Sequence, residues 1–163
     1  MWTRFAIVAC IIASGFGASA QTPDAIAAKG EIPALQLHAE GAQIYECKAG
    51  ADAKLAWQFR EPIASLFKDG QTVGRHYAGP TWEDADGGAV VAKVAGRAPG
   101  ASARDIPLLK LEVTERRGTG VLKDVSAVQR LNTIGGVFEG PCDKAGEFFS
   151  APYSADYVFL RKQ

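Results

Sequence analysis

Histidine, cysteine and methionine are scarce in this chain, with two, three and one copies among 163 residues. That leaves little material for a metal centre built from imidazole or thiolate ligands. Neither sign of charge is in excess, since Lys and Arg number 18 and so do Asp and Glu. Without a basic stripe there is no electrostatic footprint for nucleic acid or an anionic membrane. No apolar run reaches the roughly 20 residues of a membrane-spanning helix. Past residue 20, apolar positions never hold a 3.6-residue period over a helix's length, which argues against a helical bundle. Nucleotide chemistry is missing too: Gly118-Thr119-Gly120 has Lys123 where a dinucleotide loop places its third glycine, with no strand-helix-strand unit around it. No Gly-x-Ser-x-Gly occurs, and Ser126, Ser150 and Ser154 stand in contexts that name no base.

The chain opens with Arg4, an apolar run from Phe5 to Ala13, and Ala18-Ser19-Ala20. A basic start, a short apolar core and an Ala-x-Ala site make residues 1–20 a secretory signal peptide, so the mature protein begins at Gln21 and is periplasmic or secreted. Cys10 leaves with the leader; too few residues precede it, in too poor a context, for a lipoprotein signal. Cys47 and Cys142 remain, and an even pair in an oxidising compartment makes one disulfide. The other use of two cysteines, as metal ligands or a redox pair, lacks its C-x-x-C spacing.

Residues 21–32 read as a polar lead-in and 33–163 as a single β domain. Leu35 and Leu37 alternate with Gln36 and His38, and Glu40-Gly41 reads as a turn into a second strand, Gln43 to Cys47. Leu55, Trp57 and Phe59 give the clearest strand, the Trp57 ring expected in the core, with Pro62 closing it. Asp69-Gly70 predicts a hairpin turn; Gly79-Pro80 breaks the strand that follows. Val90, Ala92 and Val94 share a face, as do Leu109, Leu111 and Val113. Residues 121–131 fit either a strand pair or a helical turn. At the end, Tyr153, Ala155, Tyr157 and Phe159 fall on one parity and Val158 and Leu160 on the other, as in a strand covered on both faces. Short strands with Gly and Pro turns predict an all-β fold, an antiparallel β-sandwich or barrel closed by one disulfide.

The densest run of chemically capable side chains is Asp69 to Gly88. Within it His76, Tyr77, Trp82, Glu83, Asp84 and Asp86 are the candidate ligand-binding residues. Strict alternation puts His76 on the face opposite Val73 and Tyr77, away from the core, and leaves Trp82 in a loop free to meet a ligand. If the strands of His38 and His76 paired, the two imidazoles could meet on an outer face and, with Glu83, bind zinc or copper; two surface histidines are the plainer account. Glu83-Asp84-Ala85-Asp86-Gly87-Gly88 invites calcium, but counted from Asp84 the fifth and twelfth positions are Gly88 and Ala95, so half the ligands are missing. A solvated Asp-Gly-Gly turn explains the run better. His76 with Asp84 or Asp86 would make a base and its orienting acid, yet no nucleophile accompanies them.

Taken together, Tyr45-Glu46-Cys47, Trp57-Gln58-Phe59, Gly74 to Trp82 with Asp86-Gly87, Ile106-Pro107, Gln129 to Gly136, Cys142 and Pro152 to Tyr157 resemble a secreted bacterial and fungal family known only as a domain of unknown function, the one numbered 3455. The resemblance spans nearly all of residues 32–161. It implies export, the paired cysteines and one domain, and it implies no activity. Some fungal members carry a malate dehydrogenase label, which the missing nucleotide loop makes implausible here. The reading is thus an exported, disulfide-bonded β module that binds an unknown ligand or envelope component without catalysis and with no cofactor. The alternative is a small secreted enzyme or metal protein using the His76, Trp82 and acidic-turn face.

Overall fold

The computed structural model describes residues 22–163; the expected leader, residues 1–20, lies outside the described residues. Eight strands follow one another: β1 Glu31–Ala49, β2 Leu55–Lys68, β3 Gln71–Tyr77, β4 Thr81–Asp84, β5 Ala89–Ala98, β6 Leu108–Arg117, β7 Ala127–Gly135 and β8 Phe148–Lys162. Each pairs antiparallel with the next, and β8 returns to β1, so of the two expected architectures the chain takes the closed barrel. Closure leaves the apolar faces one interior to share. Leu37 and Ala39, Leu66, Val90 and Ala92, Leu109 and Leu111, Val128, and Tyr153 through Phe159 on alternate positions supply it.

Local chemistry sets the turns, with two exceptions. Asp69 and Gly70 both have positive φ, 50° and 78°, as a two-residue hairpin turn requires. Glu40-Gly41, by contrast, makes no turn: β1 runs straight through it for 19 residues. A Cβ at Gly41 would collide with the Ile63 carbonyl and Ala64 on β2, so this glycine serves a close backbone approach. Nor does Pro62 end β2, because β3 reaches only to Ala64 and the missing N–H falls beyond the ladder on that side.

The barrel's two ends differ. At one, the stretch 118–126 folds as turns before β7, and its Leu122 and Val125, each 1% exposed, plug the interior. Asp86 fixes that plug, accepting hydrogen bonds from the amides of Gly88 at 2.7 Å and Val121 at 3.0 Å. At the other end β1, β2 and β8 run past the rim as a three-stranded flap. The β7–β8 connection is tied to it by the Cys47–Cys142 disulfide, with Cα atoms 5.6 Å apart. Closing a loop this long restrains the unfolded chain by about 4–5 kcal/mol in the chain-entropy account.

Trp57 belongs to this flap and not to the barrel core. Its ring meets Phe138 edge-on at 5.4 Å and its indole N–H donates to the Pro141 carbonyl at 2.8 Å. Phe59 stands 53% exposed at the rim. The core packing expected of Trp57 fails, and Phe59 is left exposed, because β2 outruns β3 and its first half has no opposite wall to pack against. The lead-in packs outside the barrel. Ile26 is fully buried, its carbonyl takes a 2.6 Å hydrogen bond from Gln129 Nε2, and Ala28 covers Val158 and Leu160, the second face of β8.

Candidate functional site

The flap end of the barrel opens into a cavity of about 550 Å³. That is within the range of small-molecule sites. Its floor is aromatic. His76 and Trp82 face each other across β3 and β4 and stack with centroids 4.5 Å apart and planes 13° from parallel. Tyr157 leans on both, at 5.0 Å and 5.2 Å. Small residues make the room: Ala64 is the neighbour of His76 on β2, and Gly41 the neighbour of Ala64 on β1.

His76 therefore points inward and is 2% exposed, against the outward placement that alternation predicts. The cause is a β-bulge. Leu66 pairs with Gly74 and Phe67 with Thr72, so Val73 is an extra residue that shifts the parity of everything after it. Trp82, expected in a loop, is the second residue of β4 and 1% exposed. His38 stays outside, its Nδ1 donating to Asp156 Oδ1 over 2.8 Å. The two histidines lie on opposite faces of the wall and cannot share a metal ion. Among the described residues no group of three or more His, Cys, Asp or Glu is placed to hold one.

The other candidates divide from His76 and Trp82 by the same alternation. Tyr77 donates to Glu83 Oε2 at 2.6 Å, while Arg75 and Arg117 reach the same carboxylate at 2.9 Å and 3.3 Å. This is an outer-face network. The hydrogen bond from Tyr77 holds the Glu83 carboxyl below its usual range, and the same bond raises the Tyr77 phenol. Asp84 accepts from the Asp86 amide at 3.2 Å, a turn bond, and Asp86 anchors the plug at the opposite end of the barrel. The structure thus brings His76 and Trp82 to the cavity and leaves Tyr77, Glu83, Asp84 and Asp86 outside it.

Inside, polar chemistry is sparse. The Nδ1 of His76 lies 2.8 Å from the Thr81 carbonyl. A carbonyl only accepts, so Nδ1 carries the proton and Nε2 is bare. Burial, foremost, holds the imidazole neutral, its pKa lowered to about 3. Arg130 stands on the inward parity of β7, one step from Val128, and its Nε and Nη2 donate to the Pro107 carbonyl at 3.0 Å and 2.8 Å. It has no carboxylate partner among the described residues. Two donors of the wall, Trp82 Nε1 and Gln43 Nε2, are buried without a hydrogen bond; Gln43 approaches the Tyr153 hydroxyl without closing one of good geometry. Arg97 and Arg60 add two further cations to the lining, Arg60 paired with Glu46 and Glu61, and no Asp or Glu lines the cavity itself.

Arg130, Gln43 and Tyr157 escape a reading that looks for dense clusters of reactive residues. The available signal was a polar residue on an apolar parity. Gln129 and Arg130 are neighbours in one strand, so alternation sends one of them inward. The structure turns Gln129 out to the lead-in and Arg130 into the barrel.

The disulfide-bound connection borders this cavity. Gly135 and Gly136 both take positive φ, 72° and 86°, where it leaves β7. The Tyr45 hydroxyl donates to the Gly136 carbonyl at 2.9 Å, Val137 lines the cavity, and Phe138 stacks on Phe149 at 3.6 Å. The mouth is thus built from aromatic rings and held by a covalent tie.

Compared with known proteins, residues 27–161 match a family model described as a protein of unknown function (DUF3455). No curated protein and no solved structure matches the chain.

Proposed function

From the premise that the chain belongs to that family, we propose that it is a binding module whose barrel holds a small, largely apolar molecule with an anionic end. One observation carries this reading: Arg130 projects into an apolar, aromatic cavity that contains no carboxylate. Arg130 is half-buried, and a guanidinium partly screened from water by apolar walls is stabilised by a counter-charge or further acceptors. The Pro107 carbonyl and the Tyr157 hydroxyl meet part of that need, and the remaining N–H groups are left to a ligand. The unsatisfied donors of Trp82 and Gln43 add to the same demand for acceptors. Eight-stranded barrels enclose an interior of about the right width for one such molecule.

Catalysis finds less support. His76 is neutral and oriented by a backbone carbonyl, and neither a serine or cysteine nucleophile nor an acid faces it in the cavity. The disulfide and the leader-like start favour an oxidising, extracytoplasmic site of action. The cavity favours ligand binding over attachment to an envelope component.

The test uses the mature, oxidised protein and the dye 1-anilinonaphthalene-8-sulfonate, an aromatic body with an anionic group. Fluorescence titration should show one saturable site, displaced by dodecanoate. Arg130→Gln should weaken both ligands. No saturable binding of either, or equal binding to the variant, would refute the reading.

A further inference from the structure

The cavity also fixes what the apolar part of the ligand must carry. Resting on the binding reading above, we propose that the ligand is an aromatic acid bearing a ring hydroxyl, with its carboxylate on Arg130 and its hydroxyl donating to His76 Nε2.

His76 Nδ1 is committed to the Thr81 carbonyl at 2.8 Å, which leaves Nε2 as a lone-pair acceptor. No described residue donates to it, although Arg130, Trp82, Gln43 and Tyr157 all stand in the same cavity wall. Facing a mostly apolar cavity with no protein donor, this acceptor gains from any entering group that supplies one. A carboxylate cannot do so, because two sets of lone pairs repel. A hydroxyl can. The ligand therefore needs two different polar groups: an anion for Arg130 and a donor for His76.

The body between them is set by shape. His76 and Trp82 form a parallel stack, and Tyr157 tilts against it at 58° and 69°. Such a corner accepts a planar ring edge-on or offset, which aromatic pairs favour over an alkyl chain of the same area. Arg130 sits beside it, since β7 and β8 pair Arg130 directly with Tyr157. A ring lying along this corner has its hydroxyl at the imidazole and its acid toward β7. The cavity's remaining volume runs toward Phe59 and Val94 at the rim, where an apolar substituent would be accommodated.

Three probes separate the parts: 4-hydroxycinnamate, cinnamate and 4-methoxycinnamate. They differ only in whether the ring position donates, is empty or merely accepts. Titrated into the wild-type protein, the hydroxy acid should bind about tenfold tighter than either of the others, the worth of one satisfied buried acceptor. His76→Phe should erase that preference, whereas Arg130→Gln should weaken all three alike. In the ¹⁵N spectrum of histidine-labelled wild type, the hydroxy acid alone should move the His76 Nε2 resonance, a readout that needs no variant to fold. Equal affinity of hydroxy and methoxy acids, or an unmoved Nε2, would overturn the inference. If the naphthalene dye and dodecanoate bind through Arg130 while the hydroxyl makes no difference, only this inference falls; if none of the anionic probes binds, the binding reading falls with it.

Discussion

The β3–β4 hairpin has two faces one residue apart in sequence and opposite in physics. On the inside, His76 and Trp82 are buried, stacked and uncharged. On the outside, Arg75, Tyr77, Glu83 and Arg117 share charges and hydrogen bonds in water. The inner pair is held by packing and desolvation, terms that reach several kcal/mol per side chain. Screening and high dielectric limit the outer network to a fraction of that. Residues dense in sequence are therefore not a site; alternation divides them between a cavity and a solvated surface.

The largest effect should come from Trp82. Truncating a buried aromatic that touches His76, Tyr157 and Phe159 opens a cavity in the barrel's central layer. Trp82→Ala should lower unfolding free energy by about 3–5 kcal/mol, read from urea melts of oxidised protein. A loss under about 1 kcal/mol would mean that the inner face is not packed as described.

Next is acid. The His76 pKa falls from 6.5 in a free side chain to about 3 in the fold, mainly through burial. Below the unfolded value the unfolded chain binds a proton that the native state refuses, so stability declines as pH drops from about 6.5 toward 3 and is fully present above that window. The groups facing the ring are Arg130, which also disfavours its charge, and the neutral Tyr157 and Trp82. Comparing melts at pH 7.5 and 4.5 for wild type and His76→Gln isolates the contribution, because exposed carboxylates titrate alike in both. The variant should lose much of the pH dependence; parallel slopes would show that His76 takes up its proton while folded.

Much of this fold was legible in advance. Alternation found the inward sets of β6 and β8, Asp69-Gly70 gave its hairpin, and two cysteines left after the expected leader gave the disulfide. Ring closure was not legible, because the β1–β8 pairing joins residues that no local pattern relates. The site failed at a single point of local geometry. The bulge at Val73 is marked only by Gly74 beside it, a glycine inside a strand, and it reverses the parity of His76. Arg130 was hidden differently: a lone arginine in a strand is ordinarily solvent-facing, and only the apolar residues on its parity marked it as inward.

The smallest effect belongs to the outer face. Glu83 is held below its usual carboxyl range by Tyr77 first and Arg75 next, so its contribution is present at neutral pH and disappears on acidification through that lowered value. The Glu83 side chain is half-buried, but its cationic partners Arg75 and Arg117 are largely exposed and the pairs are open to solvent on that side. At 1 M salt the screening length shrinks to about 3 Å, comparable with the pair distances themselves. Glu83→Gln should therefore move the urea midpoint only slightly at low salt, and the difference from wild type should vanish in 1 M sodium chloride. Because Glu83 touches nothing in the cavity, the same variant should bind the naphthalene dye as wild type does. A Glu83→Gln protein that kept its fold but lost the dye would tie the outer network to the ligand, and the division of the hairpin into a binding face and a solvated face would no longer stand.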